Sequence, residues 1–406
     1  MIGLNVFANL PPAVQGYYDK RALLRAKLVC VHSELATQKT LPEGSGSTVT
    51  FWRYAPLAIN TTALTETVDM GITLATRQQL VPQEVPCIPQ LFGDFISVGR
   101  LASLRSIDQG ASEKLDVIVQ QGAESVDYIL AKSLATSLMR RRADGDTNYQ
   151  VDGTTTSAGS TVSVIDSGRT ALDAAKPGIA DDYYLGGYMT ITSGPAYGQT
   201  QQISAYTASS GTFTTGAFNI APGSGATYRV AVGTAIGRTA IINSRAIRQV
   251  NLDLFNQKAT RFDKGYFKCA LDPAMHFDFF DDPVFVKASE HKESMDGLET
   301  NEVGVFAGVQ FVKSTRLFRE TVAGVESVDA GVVHISPILG KEAFGMVSFG
   351  TTPGGKKNVN TYIRTWDQLG QEIPKYDTIG WQVGFGSLAL NGCFGVGLMC
   401  GASDQL

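Results

Sequence analysis

One helical pattern of about thirty residues constrains the fold of this chain more than any other feature. Small or apolar residues recur with a period of 3.6 from about Ser112 to Arg142: Leu115, Ile118, Val119, Gly122, Val126, Ile129, Leu130, Leu134 and Leu138. About thirty residues at a rise of 1.5 Å predict a rod roughly 45 Å long, which exceeds the usual helix of a globular domain. The sequence therefore predicts one dominant helix.

The two ends of this helical pattern carry opposite charges. Ser112, Glu113 and Asp116 stand at the start, and the run 140–142 consists of three arginines at the end, just before Gly145. Acidic residues at the start and basic residues at the end match the helix macrodipole. We interpret the arginines as a solvated helix end, with contact to nucleic acid as the alternative.

An extended region precedes the helix. Residues 48–54 alternate between apolar and polar side chains with period two after a glycine-containing turn at 43–47. Residues 78–97 contain Pro82, Pro86 and Pro89, whose spacing excludes a helix and disfavours a central strand. We therefore expect residues 44–98 to form a long, two-stranded excursion at an edge of the fold.

The composition changes after Asp146. Residues 151–230 are rich in Thr, Ser, Gly, Ala and Tyr, and strand patterns recur every 8–12 residues between glycines. The clearest predicted strands are Tyr188–Thr192, Thr200–Tyr206, Thr212–Thr215 and Ala226–Val230. Helical periodicity resumes at about 236–256, so the sequence predicts a small all-β module between helices. We expect deletion of residues 152–230 to leave a foldable subunit.

The remainder of the chain mixes short strands and helices. The predicted elements are a strand at Tyr266–Leu271, a helix that begins with Asp272 as N-cap and Pro273 at its first position, a β segment at Gly304–Val312, a strand at Val332–Ile335 that enters a loop at Pro337, and partial alternation at Gly380–Asn391.

Composition excludes several classes of protein. Charged residues make up 18% of the 406 residues and the net charge is -4, which argues against binding to nucleic acid through a strong overall positive field. No apolar stretch is long enough for a membrane span, and the first residues lack a signal-peptide pattern, so we expect a cytoplasm-like compartment. Five scattered cysteines match neither a disulfide framework nor a zinc site, which favours buried thiols.

No motif for catalysis, cofactor binding or metal binding stands out, so the sequence favours a protein that is not an enzyme. The nearest metal-like cluster contains His276, Asp278, Asp281 and Asp282, but the flanking prolines favour a capped, half-buried helix. Residues 354–357, Gly-Gly-Lys-Lys, lack the strand, helix and hydroxyl of a nucleotide loop and favour a solvated turn.

Three tyrosines of the β module, Tyr183, Tyr184 and Tyr188, are candidates for its binding surface. Tyrosine rings stack on sugars, but on short strands they also pack in cores or interfaces, which is the reading that we favour.

Five segments in a fixed order resemble one protein family. They are Val49–Tyr54 after the glycine turn, Leu91–Ile96, the β segment Gly304–Val312, Leu339–Gly345 and Thr378–Trp381. In this order, together with the long helix, they are similar to the major capsid proteins of tailed bacteriophages with the HK97-like fold. Within that superfamily the chain resembles the N4-like major capsid family. The resemblance covers about 1–145 and 235–395.

The resemblance implies an α+β chain with the HK97-like capsid fold and one inserted domain. The implied parts are an N-terminal arm at 1–43, an E-loop at 44–98, a P-domain with its spine helix at 99–149, an inserted β-rich domain at 150–233, a P-domain helix at 234–262, an A-domain at 263–350, and a P-domain and C-terminal segment at 351–406.

The resemblance also implies the function of a major capsid protein, which self-assembles into an icosahedral shell around phage DNA after assembly in the host cytoplasm. Its implied partners are further copies of itself in hexamers and pentamers, with scaffolding, decoration and portal proteins as candidates. Packaged double-stranded DNA would contact the inner face without sequence specificity. No cofactor and no membrane are expected.

The candidate residues for contact between subunits lie in two segments: Trp52, Arg53 and Tyr54 in the excursion, and Lys20, Arg21 and Arg25 in the N-terminal stretch. We expect the basic stretch to face acidic patches of neighbouring subunits, with packaged DNA as the alternative. A proline-rich excursion buries little against its own domain, which fits coverage by adjacent copies.

Two other functions remain open from the sequence. One is the shell protein of a cellular compartment with the same fold, similar to encapsulins. The other is a phage tail or host-glycan-binding protein whose function resides in the β module, or an enzyme hidden in that module.

Overall fold

The computed structural model describes most of the chain between residues 30 and 403. The described residues are 30–41, 46–57, 59, 80, 82–99, 111–174, 176, 178–233, 236–237, 239–263, 265–285, 302–314, 316–320, 332–349, 359–364 and 376–403. The N-terminal basic stretch and the Gly354–Lys357 segment lie outside them.

The described elements comprise four α-helices, 21 strands and two short 3₁₀ turns, at His32–Leu35 and Gly392–Phe394. The first part of the chain contains β1 (Thr37–Leu41), β2 (Val49–Tyr54), β3 (Pro82–Cys87), β4 (Gln90–Gly99), α1 (Ala111–Ser137) and β5 (Met139–Arg142). The middle contains β6 (Gln150–Thr154), β7 (Ser157–Ser160), β8 (Ser163–Ile165), α2 (Gly168–Ala174), β9 (Tyr188–Ile191), β10 (Thr200–Thr207), β11 (Thr212–Thr215), β12 (Thr227–Ala231) and α3 (Ser244–Asn256). The last part contains β13 (Phe267–Leu271), α4 (Pro273–Phe280), β14 (Glu302–Phe306), β15 (Val309–Lys313), β16 (Arg319–Glu320), β17 (Val333–Leu339), β18 (Phe344–Phe349), β19 (Val359–Arg364), β20 (Tyr376–Ala389) and β21 (Gly395–Cys400).

The strands form three sheets and one ribbon. Sheet 1 has the order β1-β18-β20-β19, with β4 also paired to β20. Sheet 2 has the order β6-β12-β9-β10-β11-β8-β7 and is antiparallel throughout. Sheet 3 has the order β14-β15-β13-β17-β21-β5, with β16 beside β17. Strands β2 and β3 form a separate antiparallel ribbon, called the ribbon below.

The long helix packs along sheet 1. Its buried side chains Ile118, Leu130 and Leu134 share a core with Phe344 and Trp381. The predicted helix is confirmed, but it ends at Ser137 rather than Arg142, because residues 139–142 pair in parallel with β21. This pairing moves the three arginines from a helix end into sheet 3.

Gly122 is the point where helix α1 meets Trp381 of β20. We expect Gly122→Leu to lower the free energy of unfolding by about 1–3 kcal/mol, the usual cost of overpacking an interior. An added Cβ would lie 2.8 Å from the indole carbons Cδ2 and Cε2. The indole is also held, because Trp381 Nε1 donates to Gln121 Oε1 at 2.7 Å.

Urea unfolding would measure this change against a matched control. Lys132→Leu adds the same side chain at an exposed position of helix α1 and should shift stability by less than about 0.5 kcal/mol. Equal effects of the two substitutions would contradict tight packing at Gly122.

Helices α3 and α4 pack against sheet 3 and share one buried core with it. Helix α3 begins at Ser244, later than the predicted 236, because Asn243 caps it by accepting a hydrogen bond from Ala246 N at 2.8 Å. Helix α4 begins as predicted, with Asp272 as N-cap and Pro273 at the first position.

Strand β17 continues through Pro337, so the predicted loop at this proline is wrong. Antiparallel pairing with β21 covers His334–Leu339. On the other side of β17, β16 pairs at Val333 and His334, and β13 pairs at Ile338 and Leu339. Pro337 lies between these two ladders, where the backbone needs no N–H donor.

Sheet 2 is built entirely from residues 150–231 and has its own buried core. Val164, Met189, Ile203 and Phe213 are among the buried side chains of that core. Strands β9, β10, β11 and β12 agree with the four predicted strands to within one residue at each end, whereas β6, β7 and β8 were not predicted. The Thr- and Ser-rich segment therefore forms a contiguous β-rich unit between helices α1 and α3, but it is not all-β as predicted, because it also contains helix α2.

Candidate assembly surface

The ribbon has one buried face and one exposed face, because side chains alternate along paired strands. Phe51, Val85 and Cys87 point inward and pack with Leu41, Val347 and Leu390. Trp52 and Tyr54 point outward, and 52% of Trp52 is exposed. Trp52 lies opposite Glu84 and Tyr54 opposite Pro82 in the register.

Strand β4, which follows the ribbon in the chain, also exposes large apolar side chains. Ile88 precedes the strand, and Leu91, Phe95 and Ile96 lie on it; all four are exposed, Phe95 by 66%. Among the described strands β4 pairs only with β20. We call the exposed side chains Trp52, Tyr54, Ile88, Leu91 and Phe95 the assembly surface; Ile96 follows Phe95 in the strand and therefore points to the other face of β4.

The number of large apolar side chains exposed on the ribbon and β4 needs a physical reason. Soluble monomers rarely expose contiguous clusters of large apolar side chains, and such clusters mark interaction sites. Edge strands with exposed apolar residues also pair or pack with other chains unless they are protected. The assembly surface is therefore suited to burial against another protein surface.

Arg53 is buried inside the chain, which corrects its prediction as a contact between subunits. It is 7% exposed, and its guanidinium donates to Gln83 Oε1, Gly198 O and Leu390 O. It alternates in direction with Trp52 and Tyr54 and therefore points inward. Burial lowers the pKa of this guanidinium to about 10.

The other contact candidates divide into two groups. Trp52 and Tyr54 lie on the outer face of the ribbon, where they are available for contact. Lys20, Arg21 and Arg25 lie outside the described residues, and their role stays a prediction.

Two of the three surface tyrosines of the β module are in fact buried. Tyr184 is fully buried in the core of sheet 2, and Tyr188 packs beneath Arg140, whose guanidinium carbon lies 3.7 Å from the ring centroid. Tyr183 is half-buried and stacks on Tyr149 with ring centroids 5.2 Å apart. Tyr184 and Tyr188 are therefore wrong as surface candidates, and their burial agrees with the favoured interpretation that these tyrosines pack inside the fold.

Tyrosine hydroxyls and aspartates form a buried network in sheet 2. Tyr184 and Tyr206 donate to Asp173, and Tyr228 donates to Asp166 at 2.7 Å. Burial, together with the neighbouring carboxylates, raises the pKa of these phenols. That of Tyr184 rises to about 12, and those of Tyr206 and Tyr228 rise further.

This network predicts alkaline unfolding of sheet 2. A tyrosine in an unfolded chain has a pKa of about 10, so the protonated phenols stabilise the fold fully below about pH 10. That stability is lost as the pH rises from about 10 towards 12, because the unfolded state then releases protons more readily. We expect delayed tyrosine ionisation, followed at 295 nm, to coincide with loss of β-sheet circular dichroism.

The unfolded chain in guanidinium chloride provides the control for this titration. Its tyrosines should ionise near pH 10. Ionisation of all tyrosines near pH 10 in a chain that keeps its circular dichroism would contradict the buried network.

The arginine run is buried, so both interpretations made from the sequence are wrong. Arg140 donates to Glu320 Oε2 at 2.6 Å and to Ala135 O at 3.1 Å. Arg142 donates to Val232 O at 2.8 Å and pairs with Asp144. Arg140 thus connects β5 to β16 and to helix α1, and Arg142 connects β5 to the segment that follows β12 of sheet 2.

A charged junction joins sheet 2 to helix α3. Arg229 of β12 pairs with Asp152 and with Asp253 of α3, and Arg141 pairs with the same Asp253. A cavity of about 380 Å³ lies at this junction, with Thr154 also in its wall. Two carboxylates and two guanidiniums meet there, so their formal charges balance.

The side chains of the metal-like cluster, on and just after helix α4, make contacts within the fold. Asp278 accepts hydrogen bonds from the backbone N and the hydroxyl of Ser403, and Asp282 accepts from Ser244 N at 2.6 Å. His276 packs on Phe280 with ring centroids 4.4 Å apart. The part of the chain that the structure describes contains no group of three His, Cys, Asp or Glu placed to hold a metal ion.

Comparison with known proteins identifies the fold. No protein-family model and no curated protein matches the sequence. The capsid of Ralstonia phage GP4 matches with a TM-score of 0.52 and 11% identity, over 92% of this chain and 88% of that one. This chain has the HK97-like fold. The capsids of cyanophages Pam1 and P-SCSP1u also match, each with a TM-score of 0.49, at 16% and 12% identity; the matches cover 89% and 92% of this chain and 87% and 89% of those chains.

Within the HK97-like fold of this chain, sequence reasoning missed part of the assembly surface. Leu91 and Phe95 belong to a segment that carried the family resemblance, but they were not chosen as contact candidates. The preceding prolines Pro82, Pro86 and Pro89 could have pointed to these residues. Proline is rare in central strands, so a proline-rich segment indicates the edge of a sheet, which other chains can contact.

None of the helices within the described ranges combines the length and apolarity needed to cross a bilayer.

Proposed function

We propose that this chain is a major capsid protein, whose copies assemble into the icosahedral shell around the genome of a tailed bacteriophage. The HK97-like fold and its likeness to the capsid of phage GP4 support this function. The assembly surface carries the proposal, because it exposes large apolar side chains from the ribbon and β4 on one subunit. Burial against neighbouring copies would remove that surface from water.

The parts of the subunit follow from this proposal. We assign the ribbon to the E-loop, helix α1 to the spine of the P-domain, sheet 3 mainly to the A-domain, and sheet 2 to an inserted domain. Residues 1–43 would form the N-terminal arm. Strand β4 pairs with β20 in sheet 1, so the E-loop proper ends before β4 instead of at residue 98.

Finer assignments belong to the same proposal. The order of the sequence motifs supports membership of the N4-like major capsid family. The proposed role is structural rather than catalytic, with assembly in the host cytoplasm. Scaffolding, decoration and portal proteins, and packaged double-stranded DNA on the inner face, are the proposed partners.

Expression of the full chain alone tests the function. Sedimentation velocity and negative-stain microscopy should show closed shells, tubes or broken shells. Their contents then separate a virion shell from a cellular compartment, since the first is filled with DNA and the second with a cargo protein. A stable monomer, even after co-expression with the neighbouring phage structural genes, would overturn the proposal and favour the glycan-binding alternative.

A further inference from the structure

The ribbon is held at two separate places. At its base, Phe51, Val85 and Cys87 belong to an apolar cluster with Val347 of sheet 1 and Leu390. Nearer its far end, Arg53 and Gln83 lie opposite each other in the register, and both side chains are buried. The second attachment is polar, and it reaches sheet 2.

Arg53 and Gln83 grip one loop of sheet 2. Arg53 Nη1 donates to Gly198 O at 3.0 Å, while Arg53 Nε and Nη2 donate to Gln83 Oε1 at 2.9 and 2.7 Å. Gln83 Nε2 in turn donates to Pro195 O. The amide of Gln83 thus links the guanidinium to the loop, and we call residues 194–198 the bracket loop.

The bracket loop is itself firmly placed. Gly198 N donates to Ile191 O at 2.9 Å, and Gly198 O accepts from Gly392 N at 2.9 Å as well as from Arg53. Tyr197 is buried, and its hydroxyl donates to Gln257 O at 3.4 Å. The loop therefore connects sheet 2 with the turn before β21 and the end of helix α3.

Gly198 has a conformation that only glycine adopts readily. Its φ angle is +75°, and an added Cβ would lie 2.3 Å from Asn391 Oδ1 and 3.3 Å from Arg53 Cδ. A substitution in the bracket loop would therefore disturb the contact with the ribbon without changing any ribbon residue.

We propose that sheet 2 sets the direction of the ribbon through the bracket loop, and that Arg53, Gln83 and Gly198 are positioning residues for subunit assembly. The proposal rests on the function proposed above. A ribbon attached only at its base would sample many directions, and assembly would have to order it at an entropic cost. The contacts of Arg53 and Gln83 with the bracket loop order the ribbon before subunits meet. The ribbon face that carries Trp52 then already has a fixed direction.

Distances between spin labels in the unassembled subunit test the bracket directly. One label is placed at Glu84→Cys on the ribbon and the other at Ser209→Cys on sheet 2; both positions are exposed. The native cysteines are buried or partly buried, and burial raises the pKa of the Cys30, Cys269 and Cys393 thiols to about 12, so they label slowly.

The unmodified ribbon should give one narrow distance distribution. Arg53→Met should broaden it at least about twofold, and Gly198→Ala should broaden it from the opposite side of the contact. Arg53→Lys should fall between, because an ammonium keeps a donor but loses the fork that reaches two acceptors. Arg316→Met, which removes an exposed arginine elsewhere, should leave the distribution unchanged.

Assembly of the unlabelled variants completes the test. Arg53→Met and Gly198→Ala should lower the yield of shells at least about tenfold at a temperature where the subunits remain folded, while Arg316→Met should not. Unchanged label distances in both bracket variants would overturn the proposal. If the parent chain itself forms no shells, the proposed function fails, but the label distances still decide whether the bracket exists.

Discussion

Trp52→Asp should leave the subunit folded and abolish its assembly into shells. The side chain lies on the outer face of the ribbon and is 52% exposed, so its loss opens no cavity in the subunit. Buried aromatic residues at the centre of an interface contribute at least about 2 kcal/mol, which is about 30-fold in an association constant. A carboxylate would add the cost of burying an unpaired charge at each contact. Because a shell repeats the contact in every subunit, the loss is multiplied.

Sedimentation velocity measures the yield of particles, which should be lost. Thermal unfolding measures the stability of the subunit, which should be unchanged. Trp52→Phe keeps an aromatic ring and should retain most assembly. Glu84→Gln changes the charge of the residue opposite Trp52 without changing apolar area, so it serves as a second control. Normal shells from Trp52→Asp would show that the outer ribbon face is not an interface.

Asp173→Ala should destabilise sheet 2 by about 3–5 kcal/mol, the cost of breaking a buried ion pair from one side. Asp173 is only 2% exposed and accepts hydrogen bonds from Arg169 Nε, Tyr184 and Tyr206. Its removal leaves the buried guanidinium of Arg169 without this carboxylate and takes an acceptor from two phenols. A loss of this size is a large part of the stability of a typical domain.

Asp152→Ala is the matched control for this substitution. Asp152 also pairs with an arginine of sheet 2, but its side chain is 61% exposed, so the change should cost at most about 1 kcal/mol. Urea unfolding monitored by tyrosine fluorescence compares the two variants. Similar losses would mean that the Asp173 network contributes no more than a surface ion pair.

Local periodicity was sufficient to predict the regular parts of the fold. Helix α1 follows from its 3.6-residue pattern, and four of the seven strands of sheet 2 follow from strand patterns between glycine turns. The outward direction of Trp52 and Tyr54 also follows from alternation, and the same rule, applied strictly, would have turned Arg53 inward. These features depend on neighbours in the sequence, which is why the sequence alone reveals them.

The features that the sequence did not reveal depend on distant partners. Arg140 is buried because it pairs with Glu320 and stacks on the ring of Tyr188. Nothing in the sequence near residue 140 indicates these two partners. Pro337 lies within a strand because two other strands leave a gap beside it. For Tyr184 the sequence favours a packed position, but it does not indicate the partners Asp173 and Arg169.

Deletion of residues 152–230, which the sequence predicts to leave a foldable subunit, would also remove contacts between distant residues. Residues 152–230 include the acceptor of Arg53 at Gly198 and the ring beneath Arg140 at Tyr188. Deleting them would remove those contacts and expose both guanidiniums to water. The expectation of a foldable shortened subunit stays a prediction, and the solubility and circular dichroism of the shortened chain would test it.

The parallel pairing of β5 with β21 has a consequence for synthesis on the ribosome. Arg140 and Met399, which touch across this pair, are 259 residues apart in the chain. At about 5–20 residues per second, β5 emerges roughly 10 to 50 s before its partner strand exists. During that interval an apolar strand would invite aggregation, whereas three adjacent arginines keep the waiting segment hydrated. The charges that the finished subunit buries thus protect the nascent chain first, and stalled chains that lack β21 should remain open to protease at Arg140–Arg142.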